Sequence, residues 1–392
     1  MEGNSAYGDI LRNNTQLGAL AMHRIKHVEK PTNVITENIQ RIDARETAFS
    51  RAMRGDYGPA VQREAPRSSN KYPLNVSLSE IRQYIGAAKA NDIAPSVAPI
   101  SNDPNVLTRH IKRLGYFLGA DLMGVCRLQP SAVYSHDMQG NPIDVTGKFA
   151  IVIVMAKDYA TTEASNGSDW INTSLSYILY QRLAALSQTL ANYIRRLGFP
   201  ASAEHTGKTP GGPKVLFPPL LLWSGIGEVS RAGIILNPFL GMNFKAAVVL
   251  TDMPMVPDRP VDFGLQDFCE RCKICSEFCP GSAIPTGSKT MYNGYETWKL
   301  NEQRCHSFRV LNKRGSYCGR CIKVCPWTRP DNMGNGLVRW AVQRSGLARR
   351  IAIRIDRSSG RDKARSENKW WFDIEDVDGI LTPASAKDLP LT

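Results

Sequence analysis

Eight of the nine cysteines of this 392-residue chain fall within 57 consecutive positions, from Cys269 to Cys325. They form two related runs. The first is Cys269-x2-Cys272-x2-Cys275-x3-Cys279-Pro280, and the second, Cys318-x2-Cys321-x3-Cys325-Pro326, repeats it without its first cysteine. Cys305, thirteen positions before Cys318, can stand in for the missing member. A disulfide framework does not fit this pattern. The chain is long, is 42% hydrophobic and can bury a core without covalent staples, and no secretion signal is visible in the sequence.

The first run has the spacing of bacterial iron–sulfur ligands. Three thiolates at i, i+3 and i+6 can wrap one face of a cubane, while the fourth starts the path to a second cluster. In two-cluster ferredoxins the ligation is crossed in this way. By that analogy Cys269, Cys272, Cys275 and Cys325 hold one [4Fe–4S] cluster, and Cys279, Cys305, Cys318 and Cys321 hold the other. A pair of zinc sites is the plainer alternative, but zinc ribbons use separated CxxC pairs rather than one continuous run. Two clusters form a wire for single electrons, and the roughly 265 preceding residues must build the site that receives them. Cys126, alone in LMGVCRL, reads as a core residue.

Periodicity places the other elements. Residues 1–75 are polar and irregular and read as an arm wrapping the core. Helices are expected at Leu78–Ala90, Asn105–Leu118 and Thr173–Leu197, the last capped by Thr173 or Ser174 and closed by Gly198. Phe149–Ala156 and Ala246–Leu250 read as buried strands, and residues 206–214 as a loop. The division expected is an arm at 1–75, a catalytic domain at 76–264, a cluster module at 265–330 and a basic extension at 331–392 that packs back through Lys369-Trp370-Trp371-Phe372. The longest strongly apolar run, Val215–Trp223, is too short to span a bilayer and contains two prolines. No GxGxxG, P-loop, HExxH or GxSxG pattern occurs, nor the DxHxxG motif that supplies a histidine to cobalt.

The net charge is +13, with ten basic against three acidic residues between Arg339 and Lys369. Such a surface is either simply solvated or suited to nucleic acid, an anionic membrane or an acidic protein. The first residues, MEGNSAYGDI, carry no twin-arginine or secretory pattern. The expectation is therefore a cytoplasmic protein, or one on the outer face of a membrane if the sequence is a processed form.

A wider set of residues resembles one family. Gly225-Ile-Gly227-Glu228-Val-Ser230-Arg231-Ala-Gly233, Pro238, Gly241, Thr251-Asp252-Met-Pro254 and Phe263-Gly264 precede the cysteine runs in the order seen in the corrinoid- and iron–sulfur-dependent reductive dehalogenases. Ile42–Arg51, Leu118–Asp121, Tyr193–Phe199, Asn293-Gly294, Trp298 and Trp370-Trp371 are similar too, so the likeness covers roughly residues 36–375. It implies an α+β fold, with a nitroreductase-like corrinoid-binding domain followed by a bacterial ferredoxin-like module of two [4Fe–4S] clusters. It also implies base-off cobalamin without a protein ligand to cobalt, reduced to Co(I) through the clusters, and an organohalide substrate whose halogen is replaced by hydrogen.

By the same resemblance Tyr180 is the proton donor, with Tyr177 one turn earlier as the rival, and Lys245 is the cation that stabilises the developing charge. The plainer alternatives are two packing tyrosines and a surface lysine. Tyr177, Gly227, Glu228, Ser230, Arg231, Asn293 and Gly294 are the candidate corrinoid contacts, although Arg231 can instead pair structurally with Glu228. Electrons must come from a separate ferredoxin, flavodoxin or reductase, and nucleic acid is not an expected partner. Two alternatives remain at this level. One is an epoxyqueuosine reductase-like cobalamin and iron–sulfur enzyme acting on tRNA, against which the interval His205–Pro219 contains no aspartate. The other is an electron carrier without substrate chemistry.

Overall fold

In a computed structural model, which describes residues 18–68, 71–88, 92–144, 147–207, 212–312, 317–330, 332–371, 374–377 and 380–383, the chain is built around a four-stranded antiparallel sheet. Its strands are β1 (Leu122–Arg127), β2 (Phe149–Ala156), β3 (Ala201–Glu204) and β4 (Phe244–Thr251), in the spatial order β1-β2-β4-β3. The register sets Ile153 opposite both Met123 and Ala247, and Met155 opposite Lys245. Phe149, Ile151 and Ile153 pack beneath a long helix, whereas Ala150, Val152 and Val154 pack against Leu220, Leu222 and Ile226 on the opposite face. With both faces covered, period-two alternation has nothing to mark, so β2 reads as an unbroken apolar run.

Helices α1 (Pro73–Gly86), α2 (Pro104–Phe117) and α3 (Trp170–Arg196) supply the covering layer. Leu179, Leu183, Leu186, Leu190 and Ile194 of α3 form the stripe laid on the sheet. Gly198, at φ 89°, ends it as expected. Its start differs from the sequence expectation, because α3 begins at Trp170, with Asp169 before it. Thr173 and Ser174 lie buried within the first turns rather than capping them, and Ser174 donates to Asn75 of α1 at 2.6 Å. Helix α1 likewise begins at Pro73, five residues early, because proline suits the first helical position. The expected end of that helix at Ala90 and the centre of the 206–214 loop lie outside the described residues. Cys126 is a core residue, with burial pushing its thiol up to about 12.

The described part of the N-terminal segment is less irregular than its composition suggests. Lys26–His27 pairs antiparallel with Val261–Asp262. Arg41 donates to the carbonyls of Val133, Tyr134 and Ile143. Short helices at Ala48–Arg54 and Pro59–Glu64 then pack on α5 (Glu302–Leu311) of the cysteine segment, where Phe49 meets His306 edge-on at 4.6 Å.

The cysteine segment opens with α4 (Leu265–Cys272), which Lys273 terminates in a left-handed conformation at φ 55°, so that Cys275 falls on a separate turn. The sulfurs divide into two groups. Burial pushes the Cys269 thiol well above its ordinary value, and the sulfurs of Cys325, Cys275 and Cys272 add to the effect. Burial does the same to Cys318, pushed up to about 11, with Cys305 and Cys279 adding to it. Cys321 senses Cys318, Cys305 and Cys279, and also Cys275, so the two groups abut.

The C-terminal residues return to this segment. Helices α6 (Met333–Arg344) and α7 (Gly346–Arg357) pack together, with Val342 and Ile353 entering the same apolar cluster as Cys269, Cys272 and Cys325. Arg361, 5% exposed, donates to the Cys325 and Thr328 carbonyls and pairs with buried Glu163 at 2.6 Å. Trp371 is buried against Tyr72 and Trp170, while Phe372 lies outside the described residues. No helix among the described residues is long and apolar enough to cross a membrane.

The crossed grouping has a direct consequence. Reconstituted protein should hold about eight irons per chain. Cys279→Ala should lose the cluster of Cys305, Cys318 and Cys321, although it lies in the first run. Iron analysis with electron paramagnetic resonance of the reduced protein reads this, and loss of the Cys269 cluster alone would contradict it.

Candidate active site

Tyr177 and Tyr180 project from the same side of α3, their rings 6.0 Å apart and edge-on. Lys245 reaches them from the start of β4, its ammonium 5.2 Å from the Tyr180 ring centroid and hydrogen-bonded to the phenol. Burial alone would push the pKa of Tyr180 up. The charge and hydrogen bond of Lys245, helped by Arg309 and Arg82, outweigh that and hold it below the ordinary tyrosine value. The sequence-expected pair is thus brought together.

Three further cations join the pair without having been anticipated. Lys157 follows β2 directly and is only 6% exposed. Burial, with Lys245 and Arg309, holds it well below the ordinary lysine value, while Cys321 acts in the opposite sense. Its backbone is fixed by reciprocal hydrogen bonds with Asn243. Arg82 of α1 stacks over Tyr177 at 5.0 Å, and Arg309 of α5 hydrogen-bonds Cys305. Lys157, Lys245, Arg82 and Arg309 form no ion pair with a carboxylate among the described residues. The one sequence signal for Lys157 is its position, a lysine at the end of an otherwise apolar strand. Arg82 and Arg309 come from elements remote in sequence and carry no local signal.

These contacts also order the two groups of cysteines. Cys321, Cys305 and Cys318 have Lys157 and Arg309 as charged neighbours, the same residues that face Tyr180 and Lys245. The Cys269 group has Arg231, Arg361 and Asp356 instead. The group of Cys279, Cys305, Cys318 and Cys321 is therefore the one beside the tyrosines, and the Cys269 group lies beyond it.

Of the other expected corrinoid contacts, several are engaged by protein. A Cβ on Gly227 would stand 2.0 Å from the Leu236 carbonyl oxygen, so close strand approach accounts for this glycine. Glu228 accepts from Thr32, from the Phe263 amide at 2.9 Å and from Gln266, rather than pairing with Arg231. Burial raises its pKa, and these donors oppose the rise. Ser230 donates to the Ile234 carbonyl. Arg231, 1% exposed, donates to the carbonyls of Cys269, Pro285 and Gly287, bridges to Glu270, and lies over Trp298, bracing the Cys269 group. Asn293 and Gly294 turn the hairpin Thr290–Thr297 with positive φ, and Asn293 grips the backbone of Gln40 in the arm. Tyr177 alone of that set stands beside Tyr180.

Three buried polar atoms lack a partner: Thr173 Oγ1, Arg82 Nε and Arg309 Nε make no hydrogen bond among the described residues. Thr173, Tyr177 and Tyr180 share one face of α3 by their spacing. Buried donors of this kind are costly unless a ligand completes them. A corrinoid, edged with amide carbonyls, has the chemistry to do so, and the residues fit it in that respect.

Comparison with known proteins agrees with this geometry. The 4Fe-4S dicluster domain family model matches residues 268–328. The tetrachloroethene reductive dehalogenase of Sulfurospirillum multivorans is 28% identical over 312 residues, 70% of this chain and 60% of that protein. The solved structure of the catabolic reductive dehalogenase NpRdhA is 35% identical and superposes with a TM-score of 0.90, over 97% of this chain and 55% of that one. The chain thus spans a little over half the length of these relatives. The epoxyqueuosine reductase of Salmonella typhimurium is a weaker match, 23% identical over 49% of this chain. With a fold shared along nearly its whole length, the chain is similar to the reductive dehalogenases.

Proposed function

We propose that the chain replaces a halogen of an organohalide by hydrogen, taking the proton from Tyr180 and electrons through two [4Fe–4S] clusters, cluster one on Cys269, Cys272, Cys275 and Cys325 and cluster two on Cys279, Cys305, Cys318 and Cys321. The observation that carries this reading is the Tyr180–Lys245 pair standing beside the cations that border cluster two. The balance is R–X + 2e⁻ + H⁺ → R–H + X⁻, so the site must receive electrons singly and deliver one proton to carbon. When bound, a corrinoid supplies the two-electron cobalt chemistry that opens the carbon–halogen bond. Tyr177, Thr173, Arg82 and Arg309 are the residues placed to hold it.

Tyr180 suits the proton step because a phenol stays protonated at neutral pH. Lys245 stabilises the phenolate left behind, which makes Tyr180 a stronger acid. The four cations without carboxylate partners also favour a substrate that carries an anionic oxygen. A structure of NpRdhA holds 3-bromo-4-hydroxybenzoic acid, a molecule of this kind. A separate ferredoxin, flavodoxin or reductase supplies the electrons in this reading. The epoxyqueuosine alternative lacks a comparable observation.

Tyr180→Phe removes the hydroxyl and keeps the ring. Turnover should fall by about 10²–10⁴-fold, the usual contribution of general acid catalysis, with cluster content unchanged and Tyr177→Phe mild. Normal dehalogenation by Tyr180→Phe would reject the assignment. The protonated phenol is required, so activity is lost as pH rises through the Tyr180 pKa. Lys245→Met removes the effect that lowers this pKa, and the alkaline limb of the pH–rate profile should move to higher pH while the rate at neutral pH falls. An unmoved limb would mean that the limb belongs to another group. In a halide-release panel, brominated hydroxybenzoates and phenols should outperform tetrachloroethene, and the reverse order would contradict the anionic-substrate reading.

A further inference from the structure

Helices α6 and α7 turn one face inward and leave the other unpartnered. Inside, Val342 and Ile353 pack with the cysteines of cluster one, and Arg357 donates to the Cys272 carbonyl at 3.2 Å. Outside, Leu337, Trp340, Ile351 and Ile355 are between 52% and 72% exposed. Ile351 and Ile355 are one turn apart on α7, so they form a stripe rather than isolated exposures. Arg350 and Arg354 flank this stripe, and neither has an ion pair among the described residues. A contiguous apolar patch rimmed by unpaired charge marks an interaction surface.

The patch also leads inward. Between α6 and α7 lies a cavity of about 240 Å³ with Val338 and Ile355 on its walls and Phe268, Pro326 and Trp327 beneath. Pro326 and Trp327 directly follow Cys325, and Phe268 precedes Cys269. A group seated in this cavity is therefore adjacent to two ligand positions of cluster one, the cluster remote from Tyr180.

We propose that this face is the docking surface for an acidic electron-donor protein, whose redox centre passes electrons to cluster one. The proposal rests on the two-cluster reading above. Three features select this occupant. The surface is basic and apolar, complementary to an acidic protein with an apolar centre. It covers the cluster at the far end of the wire from Tyr180. A donor here leaves the substrate pocket free, whereas one docked at the pocket would compete with the organohalide. Electron-transfer complexes are commonly small and short-lived, so a modest patch with strong charge steering is enough.

The test uses the reconstituted holoprotein and follows bleaching of its cluster absorption by stopped flow, a readout independent of dehalogenation. The probes are a reduced acidic bacterial ferredoxin, a reduced flavodoxin and dithionite. The double substitution Arg350→Glu/Arg354→Glu should slow reduction by the protein donors at least tenfold at low ionic strength and abolish its salt dependence, since steering charge is screened beyond ~8 Å at physiological salt. Ile351→Ser should weaken donor saturation without changing the salt dependence. Dithionite reduction should be unchanged in both variants. The proposal is overturned if the variants keep wild-type rates with both protein donors, or if dithionite reduction falls equally, which would mark a structural role. It is also overturned if the variants lose only co-sedimentation with anionic lipid vesicles, which would mark a membrane face. If donor reduction responds as expected but no halide is released, the docking surface stands and the dehalogenase reading fails.

Discussion

Eight thiols gathered in one short segment are the constraint from which the rest of the structure follows. Burial opposes the thiolate form, and each sulfur makes its neighbours harder to ionise, as with Cys269 among Cys272, Cys275 and Cys325. A metal centre that takes the thiolates as ligands removes this cost. The surrounding chain braces the segment by its backbone. Arg231 holds the carbonyls of Cys269 and Pro285, Arg361 holds Cys325, and Arg357 holds Cys272. The arm and the C-terminal helices thus enclose the segment from opposite ends of the sequence.

The crossed pattern joins the two cysteine groups mechanically as well as electronically. Cys279 follows the turn that carries Cys275, and Cys325 follows the turn that carries Cys321, so each run contributes to both centres. Cluster two then meets the sheet through Lys157, which follows β2 and senses both Cys321 and Lys245. Burial and the Lys245 charge favour the neutral form of this lysine, while the Cys321 sulfur favours the protonated one.

The sequence made the local features legible. Cysteine spacing is a property of single turns, and the crossed grouping follows from it by analogy with two-cluster ferredoxins. The unbroken apolar run of β2 and the leucine stripe of α3 were equally plain, because each reports on one surface of one element. Tyr180 and Lys245 were legible only through resemblance, since nothing within α3 or β4 marks their meeting. Lys157, Arg82 and Arg309 were missed because the site assembles them from three separated elements. The start of α3 was misread for a related reason. Thr173 and Ser174 look like caps, but they are polar residues buried against α1 and the pocket. Arg231 and Glu228, candidate corrinoid contacts with mutual pairing as the alternative, each find partners across the fold: the Cys269 carbonyl for one and the Phe263 amide for the other.

The central claim is a two-cluster wire that ends beside Tyr180. It is tested most directly by anomalous diffraction at the iron edge from crystals of the reconstituted protein. The account predicts two iron peaks. One lies among Cys269, Cys272, Cys275 and Cys325, and the other among Cys279, Cys305, Cys318 and Cys321, with the second nearer the Tyr180 hydroxyl. Peaks grouped by sequence run, a zinc signal in place of iron, or the first cluster lying nearer Tyr180 would contradict it.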